Sequence, residues 1–439
     1  MRFEVIDEAA VSPESGRVYE HGWQSWSPTT DHPVTGTGHR PARERHQVMG
    51  YRPGKPAPET GFQGEGLLAV DPGDGGPVRV YAAADGPHQV PSVRAAYRPG
   101  RVVVSADGPV EALTMDAPLA AALGSWGERF AHRVGVAEIR PAPTVWCSWY
   151  HYFTKVTQID ILENLIAIGA RQLPVDVVQI DDGWQAGIGD WLGFSAGFSS
   201  LPELVSRIRD TGRWAGIWVA PFLVGERSEV AARHPDWLIP GAGENWDQAL
   251  AGLDLTHPGV VGYLREVFGR LREIGFDYYK IDFLYAGALD GPRRNGSGPL
   301  EAYRDGMRVI REAIGPDAYL LGCGAPMLPS VGLVDAMRVS PDVAATYQPE
   351  NGDLSTPSQQ GAALTTVARA WQHGVWWVND PDCLIARPGI PHRQERAEVV
   401  EWYGGLRASS DRIADLDEWG LSTTRRLLST VPAPSPFPL

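Results

Sequence analysis

The chain has 439 residues and a formal net charge of −14. Its length is sufficient for two domains, and its acidity argues against a nucleic acid or an anionic membrane surface as a partner. No run approaches the roughly 18 apolar residues of a membrane span. Residues 1–8 lack an apolar signal core, so we expect a cytoplasmic protein. Cys147, Cys323 and Cys383 are predicted to be buried free thiols.

The first part of the chain has the pattern of a β-rich domain. Glycine and proline recur often, and short alternating stretches occur at residues 77–83 and 100–106. We predict a small β-sandwich-like domain over residues 1–140, followed by a stiff connector at residues 140–143. At the other end, residues 431–439 contain four prolines and are predicted to form a Pro-rich tail.

Residues 141–430 alternate between apolar stretches of strand length and amphipathic stretches of helix length, which predicts βαβ units around a parallel sheet. We expect this region to be a (β/α)₈ TIM barrel, which makes the chain an α/β protein. The predicted strands are 145–150, 175–182, 214–222, 277–283, 318–324, 336–342, 375–382 and 408–413. Helices are expected near residues 158–168, 200–212, 257–274, 299–314, 359–371 and 416–431. Thr157 with Asp160 is expected to cap the first of these helices, and Thr256 the third.

Most of these strands become polar toward their C-terminal ends. Lys280 and Asp282 share one face of their strand, because side chains alternate along a strand. They could simply neutralise each other, or they could serve catalysis. Acidic side chains at several such strand ends favour catalysis, since this end of a TIM barrel carries the active site. The other polar ends carry Asp181, Asp182, Arg338, Asp342, Asn379, Asp380 and Asp382.

The sequence gives little sign of a metal or a cofactor. The eleven histidines form no metal-binding spacing, and no glycine-rich loop matches a phosphate cradle. A metal could be held by Asp380 and Asp382, but no nearby histidine supports that alternative. We therefore expect no cofactor. Carboxylates without a metal indicate acid/base and nucleophilic chemistry, for which glycoside hydrolysis is a common use.

The chain resembles the α-galactosidases, or melibiases, of glycoside hydrolase family thirty-six in clan D. The matching segments occur in family order across residues 141–412, after a Gly22-Trp23-Gln24-Ser25-Trp26-Ser27 motif. They are Trp146-Cys147-Ser148-Trp149-Tyr150, Gln179-Ile180-Asp181-Asp182, Gly216-Ile217-Trp218-Val219-Ala220-Pro221-Phe222, Lys280-Ile281-Asp282-Phe283, Leu321-Gly322-Cys323-Gly324, Met337-Arg338 with Pro341-Asp342, and Asn379-Asp380-Pro381-Asp382-Cys383-Leu384.

The resemblance implies two catalytic carboxylates. Asp282 would be the nucleophile and Asp342 the general acid/base. Lys280 is expected to keep Asp282 ionised and to donate to a sugar hydroxyl. Arg338 is expected to bind a hydroxyl near the reacting carbon.

The resemblance also implies five further residues at the sugar. Asp181 and Asp182 would hold the hydroxyls on carbons four and six, and Trp218 would face the sugar. Tyr150 is expected to lie against the nucleophile, and Trp26 to reach the active site from the N-terminal domain. The alternatives are that Asp182 caps a loop, that Tyr150 is a core residue, and that the tryptophans only join the two domains.

The function implied is a retaining α-galactosidase that releases terminal α-linked galactose from melibiose- or raffinose-type α-galactosides by double displacement. A galactosyl transferase of raffinose-synthase type and an α-N-acetylgalactosaminidase would use the same site. A non-catalytic sugar-binding protein is disfavoured by the presence of both Asp282 and Asp342. The N-terminal domain and the stretch after the barrel are shorter than is usual in the family, which leaves the oligomeric state open.

Overall fold

The computed structural model describes residues 2–437. Its N-terminal part contains two antiparallel sheets, with strand orders β1-β8-β7-β4 and β3-β2-β5-β6-β9. Val104 from the first sheet and Val70 and Tyr81 from the second belong to one buried cluster, so the two sheets pack face to face. The strands are β1 (Glu4–Ala10), β2 (Arg17–Glu20), β3 (Thr30–Pro33), β4 (Phe62–Glu65), β5 (Leu67–Asp71), β6 (Val78–Ala83), β7 (Ser92–Arg98), β8 (Arg101–Ala106) and β9 (Val110–Met115).

The strands after residue 140 form the barrel and one inserted sheet. They are β10 (Val145–Cys147), β11 (Val177–Ile180), β12 (Trp214–Val219), β13 (Leu223–Gly225), β14 (Leu238–Asn245), β15 (Gln248–Leu253), β16 (Phe276–Ile281), β17 (Tyr319–Gly322), β18 (Ala336–Arg338), β19 (Val378–Asp380) and β20 (Ala408–Ser409). Within the described residues, eight of them form one parallel sheet in the order β19-β18-β17-β16-β12-β11-β10-β20. A bridge between Leu384 and Ser409 joins its two ends. The prediction of a TIM barrel is confirmed.

Helices connect the strands and cover the barrel. They are α1 (Glu44–Met49), α2 (Leu119–Val134), α3 (Trp149–Tyr152), α4 (Gln158–Ala170), α5 (Leu201–Arg209), α6 (Glu229–Arg233), α7 (Pro258–Ile274), α8 (Pro299–Ile314), α9 (Met327–Ser330), α10 (Gln359–Ala368), α11 (Arg393–Tyr403) and α12 (Glu418–Leu428). Among residues 2–437, no helix is long and apolar enough to cross a membrane.

Local signals explain where several helices begin and end. Thr157 and Asp160 form the expected capping box at the start of α4. The expected cap of α7 is wrong by one residue: His257 accepts the N–H of Gly259, whereas Thr256 donates to Asp254. The helix α7 ends at Gly275, whose φ of 108° lies in a region that favours glycine.

The sandwich is joined to the barrel through buried contacts. The outer face of its second sheet and α2 share one apolar cluster with the barrel. At the same junction, the buried Arg369 guanidinium donates to the carbonyls of Gln24, Ser25 and Ser27, which fixes the loop that carries Trp26.

The predicted Pro-rich tail is described only in part, because residues 438 and 439 lie outside the described residues. Its described part has neither helix nor strand. The ring of Phe437 stacks on that of His373, with 4.1 Å between the ring centroids.

Candidate active site

A cavity of about 900 Å³ opens at the C-terminal ends of the barrel strands. Most of the residues proposed from the sequence line it. These are Trp26, Asp181, Asp182, Trp218, Lys280, Asp282 and Asp342. All of them except Trp26 lie at or just after the C-terminal ends of parallel strands, which meet at the same edge. Tyr150 and Arg338 are buried beside it, where both contact Asp382.

Asp282 follows the last residue of β16 and is held by neutral donors. Its Oδ1 accepts the N–H of Phe283 at 2.8 Å, and its Oδ2 accepts the indole N–H of Trp218 at 3.0 Å. Phe283 has a φ of 52°, so the chain turns sharply after the carboxylate. The Asp282 carboxylate is thereby fixed at the cavity wall.

Asp342 lies four residues beyond Arg338 and is the more open of the two proposed catalytic carboxyls. Its side chain is 30% exposed, and its Oδ1 lies 2.9 Å from Nη1 of Arg338. Burial raises the pKa of Asp342 to about 7, and the neighbouring carboxylates Asp382 and Asp282 add to the effect, whereas Arg338 opposes it. A carboxyl with such a pKa can both give and take a proton near neutral pH.

The expected pairing of Lys280 with Asp282 is corrected by the structure. Lys280 Nζ donates to Asp181 Oδ2 at 3.0 Å, and the same oxygen accepts the side-chain N–H of Gln179 at 2.6 Å. Burial acts to lower the pKa of Lys280, but the neighbouring groups, Asp181 foremost, together outweigh it, and the pKa lies well above its ordinary value. Lys280 reaches Asp181 because their strands, β16 and β11, flank β12 in the sheet.

Asp182 is bound by two side chains. Its Oδ1 accepts the amide of Gln185 at 2.6 Å, and its Oδ2 accepts the indole N–H of Trp246 at 2.9 Å. Burial raises the pKa of Asp182 to about 6, while both hydrogen bonds act to lower it. Both oxygens of Asp182 accept from side chains, which favours a ligand-binding carboxylate over a loop cap.

Trp246 is a cavity residue that the sequence analysis missed. It lies in the turn of the β14–β15 hairpin, where Trp246 and Asp247 both have positive φ angles, of 49° and 54°. Its ring centroid lies 5.0 Å from that of Phe283. The available signal was the turn itself, in which Asn245 and Asp247 flank Trp246.

Trp26 reaches the cavity from the N-terminal sandwich, whereas Trp23 does not line it. The Trp26 ring meets Phe283 edge to face at 4.8 Å, and its buried indole N–H has no hydrogen-bond partner among the described residues. Gly324 permits this approach, because a Cβ there would lie 2.8 Å from the Trp26 ring. Trp23 lies under the guanidinium of Arg52, 4.3 Å from its ring centre.

Two sequence-based expectations about the acid/base side of the site also need correction. The Tyr150 hydroxyl donates to Asp382 and is directed there instead of to the nucleophile. Tyr150 lies in α3, because β10 ends at Cys147. The guanidinium of Arg338 is almost completely buried and contacts Asp342, Asp380 and Asp382. Its role in this structure is to pair with carboxylates, and not the expected binding of a sugar hydroxyl.

The metal alternative gains no support from the geometry. Asp380 and Asp382 both bind Arg338, a cation that already occupies their oxygens. In the described part of the chain, no group of three or more His, Cys, Asp or Glu side chains is placed to hold a metal ion.

The outer wall of the cavity comes from both halves of the molecule. Arg43 and His46, from the start of α1, face the loop that follows β18. The buried Asp353 belongs to that loop and links it to the N-terminal part. Its carboxylate accepts hydrogen bonds from His46 and from the backbone N–H of Ala42, both at distances below 3 Å. Hydrogen bonds outweigh burial, so the pKa of Asp353 lies below its ordinary value.

Several known proteins are similar to this chain in sequence. A family model described as melibiase matches residues 136–286. The α-galactosidase AgaA of Geobacillus stearothermophilus is 28% identical over 159 residues, which are 34% of this chain and 22% of that protein. The α-galactosidase of Escherichia coli is 30% identical over 124 residues, 26% of this chain and 18% of that protein. The matched stretches thus span less than a quarter of these curated relatives.

Solved structures match over nearly the whole chain. An α-galactosidase from Thermus thermophilus in complex with stachyose aligns with a TM-score of 0.81 and 29% identity, covering 96% of this chain and 92% of that one. The crystal structure of G. stearothermophilus AgaA aligns with a TM-score of 0.65 and 15% identity, covering 96% of this chain and 61% of that one. The second likeness supports the fold alone.

Proposed function

We propose that the chain is a retaining glycosidase that releases terminal α-linked galactose, since it is similar to melibiases and α-galactosidases in sequence and in fold. The observation that carries the proposal is the difference between two carboxyls of one cavity. Asp282 is bound by two neutral N–H donors, whereas Asp342 has a pKa raised to about 7 and is open to the cavity. These environments suit a nucleophile and a general acid/base, respectively.

In the first step, an oxygen of Asp282 attacks the anomeric carbon while the bond from that carbon to the glycosidic oxygen breaks. The electron pair of the broken bond goes to the glycosidic oxygen, which takes the proton of Asp342. The products are the free aglycone and a galactosyl ester of Asp282 in the β-configuration. Both carboxyls line the cavity, as this step requires.

In the second step, the ionised Asp342 takes a proton from water as the water oxygen attacks the anomeric carbon. The ester bond breaks, and its electron pair returns to Asp282. Two inversions at the same carbon give galactose in the α-configuration, which is net retention. A sugar hydroxyl in place of water would give transfer instead of hydrolysis.

Galactose recognition is assigned to the polar and aromatic groups that surround the carboxyls. We place the hydroxyls on carbons four and six against Asp181 and Asp182. The side-chain amides of Gln179 and Gln185 donate to these two carboxylates and fix their orientation. The indole of Trp218 holds Asp282 and offers an apolar surface to the ring. The indole N–H of Trp26, which has no hydrogen-bond partner in the described part of the chain, is available to a hydroxyl.

The test is hydrolysis of p-nitrophenyl α-galactoside alongside the α-glucoside and the α-N-acetylgalactosaminide. We expect activity on the first that exceeds the other two by at least about a hundredfold, because sites that bind a hydroxyl discriminate strongly. Preference for either of the other substrates would contradict the proposal.

The roles of the two carboxyls are tested by Asp282→Ala and Asp342→Ala, each expected to lower turnover by several orders of magnitude. Azide should rescue both variants with different products. It attacks the substrate directly in Asp282→Ala and gives the β-galactosyl azide, whereas in Asp342→Ala it opens the ester and gives the α-azide. The same azide from both variants would contradict the assignment.

A further inference from the structure

Arg338 is one cation shared by three carboxylates. Its Nη1 lies 2.9 Å from Asp342 and its Nη2 lies 2.7 Å from Asp382. Its Nε lies 3.3 Å from Asp380. One positive charge cannot balance three negative charges in a buried site, so one of the carboxyls is favoured to hold a proton. Only Asp342 is open to the cavity, because the side chains of the other two are 4% and 0% exposed.

Asp382 also reaches Asp342 through the backbone. Its Oδ2 accepts the N–H of Val343, the residue after Asp342, at 2.7 Å, and the hydroxyl of Tyr150. Its Oδ1 accepts the N–H of Cys383, also at 2.7 Å. The φ of Asp382 is 79°, a conformation that costs free energy in a non-glycine residue and persists only where the surroundings require it.

We propose that Asp382, which nothing in the catalytic steps uses, is a positioning residue for Asp342. It fixes the backbone beside Asp342 and occupies one side of the Arg338 guanidinium, so that Arg338 cannot give its full charge to Asp342. Asp342 therefore keeps its proton until substrate is bound. The inference rests on the proposed function, since that proton matters only if Asp342 protonates the leaving group.

The charge balance around Asp342 involves groups from several strands. Burial and two like charges raise the pKa of Asp342, while two cations act to lower it. Burial and the nearby carboxylates, Asp342 among them, raise the pKa of the neighbouring tyrosine and cysteine, so both side chains are neutral. The groups are Arg338 at the end of β18, Asp382 after β19, Asp282 and Lys280 at β16, Tyr150 in α3 and Cys323 after β17.

The direct test is Asp382→Asn, which keeps the side-chain shape and removes its charge. Removing a negative charge and releasing Arg338 both act to lower the pKa of Asp342, by about one unit. The basic limb of the pH profile of kcat/KM should move to lower pH by that amount. This parameter reports the first step, in which the leaving group is protonated.

The leaving group separates this role from general loosening of the site. Above pH 7, kcat/KM for melibiose should fall about tenfold in Asp382→Asn, because its sugar leaving group needs a proton. For 2,4-dinitrophenyl α-galactoside, whose leaving group departs as a stable anion, the fall should be less than about twofold. Equal losses on both substrates, or an unmoved basic limb, would overturn the proposal.

Asp380→Asn is the matched control. It removes another carboxylate from Arg338, but its contact is the longer one and it does not hold Val343. Its basic limb should move less than that of Asp382→Asn. An equal or larger shift would contradict a specific role for Asp382.

Tyr150→Phe decides the question if Asp382→Asn does not fold, as judged by near-ultraviolet circular dichroism. The hydroxyl of Tyr150 offsets part of the Asp382 charge. Its removal should raise the pKa of Asp342 and move the basic limb to higher pH, opposite to the effect of Asp382→Asn. A downward shift or none would overturn the proposal.

Failure of this inference can be told from failure of the proposed function. A wild-type enzyme inactive on both substrates, or an Asp342→Ala variant that still hydrolyses melibiose, would overturn the function itself. An active wild type that needs Asp342, together with an Asp382→Asn variant of unchanged pH profile, would overturn only the role of Asp382.

Discussion

Lys280 Nζ lies 3.0 Å from Asp181 Oδ2, and both side chains are almost completely buried. Both residues line the cavity, as does Asp282. Removing one partner of a buried ion pair costs free energy, because the remaining charge is then neither paired nor solvated by water. The pair therefore supports both the fold and the orientation of Asp181.

Lys280→Met should lower the free energy of unfolding by about 3–5 kcal/mol, the usual result of breaking a buried ion pair. Thermal and urea unfolding at pH 7 would measure the change. Lys155→Met is the control, since Lys155 is exposed and should have little effect. Equal stabilities of Lys280→Met and the wild type would contradict the pairing.

Trp26→Ala should raise KM for α-galactosides at least about tenfold while Tm falls little, because Trp26 lines the cavity and its indole N–H has no partner within residues 2–437. Trp23→Ala should show the reverse, with a lower Tm and a nearly normal KM, because Trp23 packs under Arg52 away from the cavity. Measured KM and Tm for both variants decide the matter. A Trp26→Ala enzyme that binds galactose normally would leave both tryptophans as domain contacts only.

Trp246→Phe keeps an aromatic ring at the hairpin tip and removes the hydrogen bond to Asp182. That bond acts to lower the pKa of Asp182, which is about 6, so its loss should raise the pKa further. If the ionised carboxylate binds the sugar, KM should rise severalfold, and more at pH 6 than at pH 8. Trp402→Phe, on the exposed face of α11, should change neither KM nor its dependence on pH. A KM increase independent of pH would count against this role of Asp182.

Asp342→Asn should stabilise the protein at alkaline pH while removing activity. Between the ordinary pKa of 3.8 and about 7, the folded chain retains a proton that the unfolded chain has lost. Stability therefore falls as pH rises through this window, and an uncharged side chain avoids the loss. We expect a Tm a few degrees above that of the wild type at pH 8 and a smaller difference at pH 4. A difference that does not depend on pH would contradict the raised pKa.

The barrel and its active end could be predicted because both follow from repeating features of the sequence. Apolar strands alternate with amphipathic helices, and parallel strands must end at one edge. Asp181, Asp282 and Asp342 therefore had to lie close together once the topology was known. The actual strands are shorter than predicted, since Asp282 and Asp342 follow the last paired residues Ile281 and Arg338.

The partners within the site could not be predicted, because they depend on geometry between strands. Lys280 is two residues from Asp282 yet bonds Asp181, which is 99 residues away in sequence. Trp246 belongs to a hairpin inserted between β12 and α7, and nothing in a repeating strand-helix pattern anticipates it. The domain boundaries at residues 140 and 430 stay predictions.

The stereochemistry of the first product tests the central claim most directly. Proton NMR during hydrolysis of an α-galactoside by the wild-type enzyme, recorded before mutarotation, distinguishes the two anomers of galactose. Double displacement through Asp282 predicts that α-galactose forms first and that the β-anomer grows in only as the sugar equilibrates. Initial formation of β-galactose would contradict the covalent mechanism.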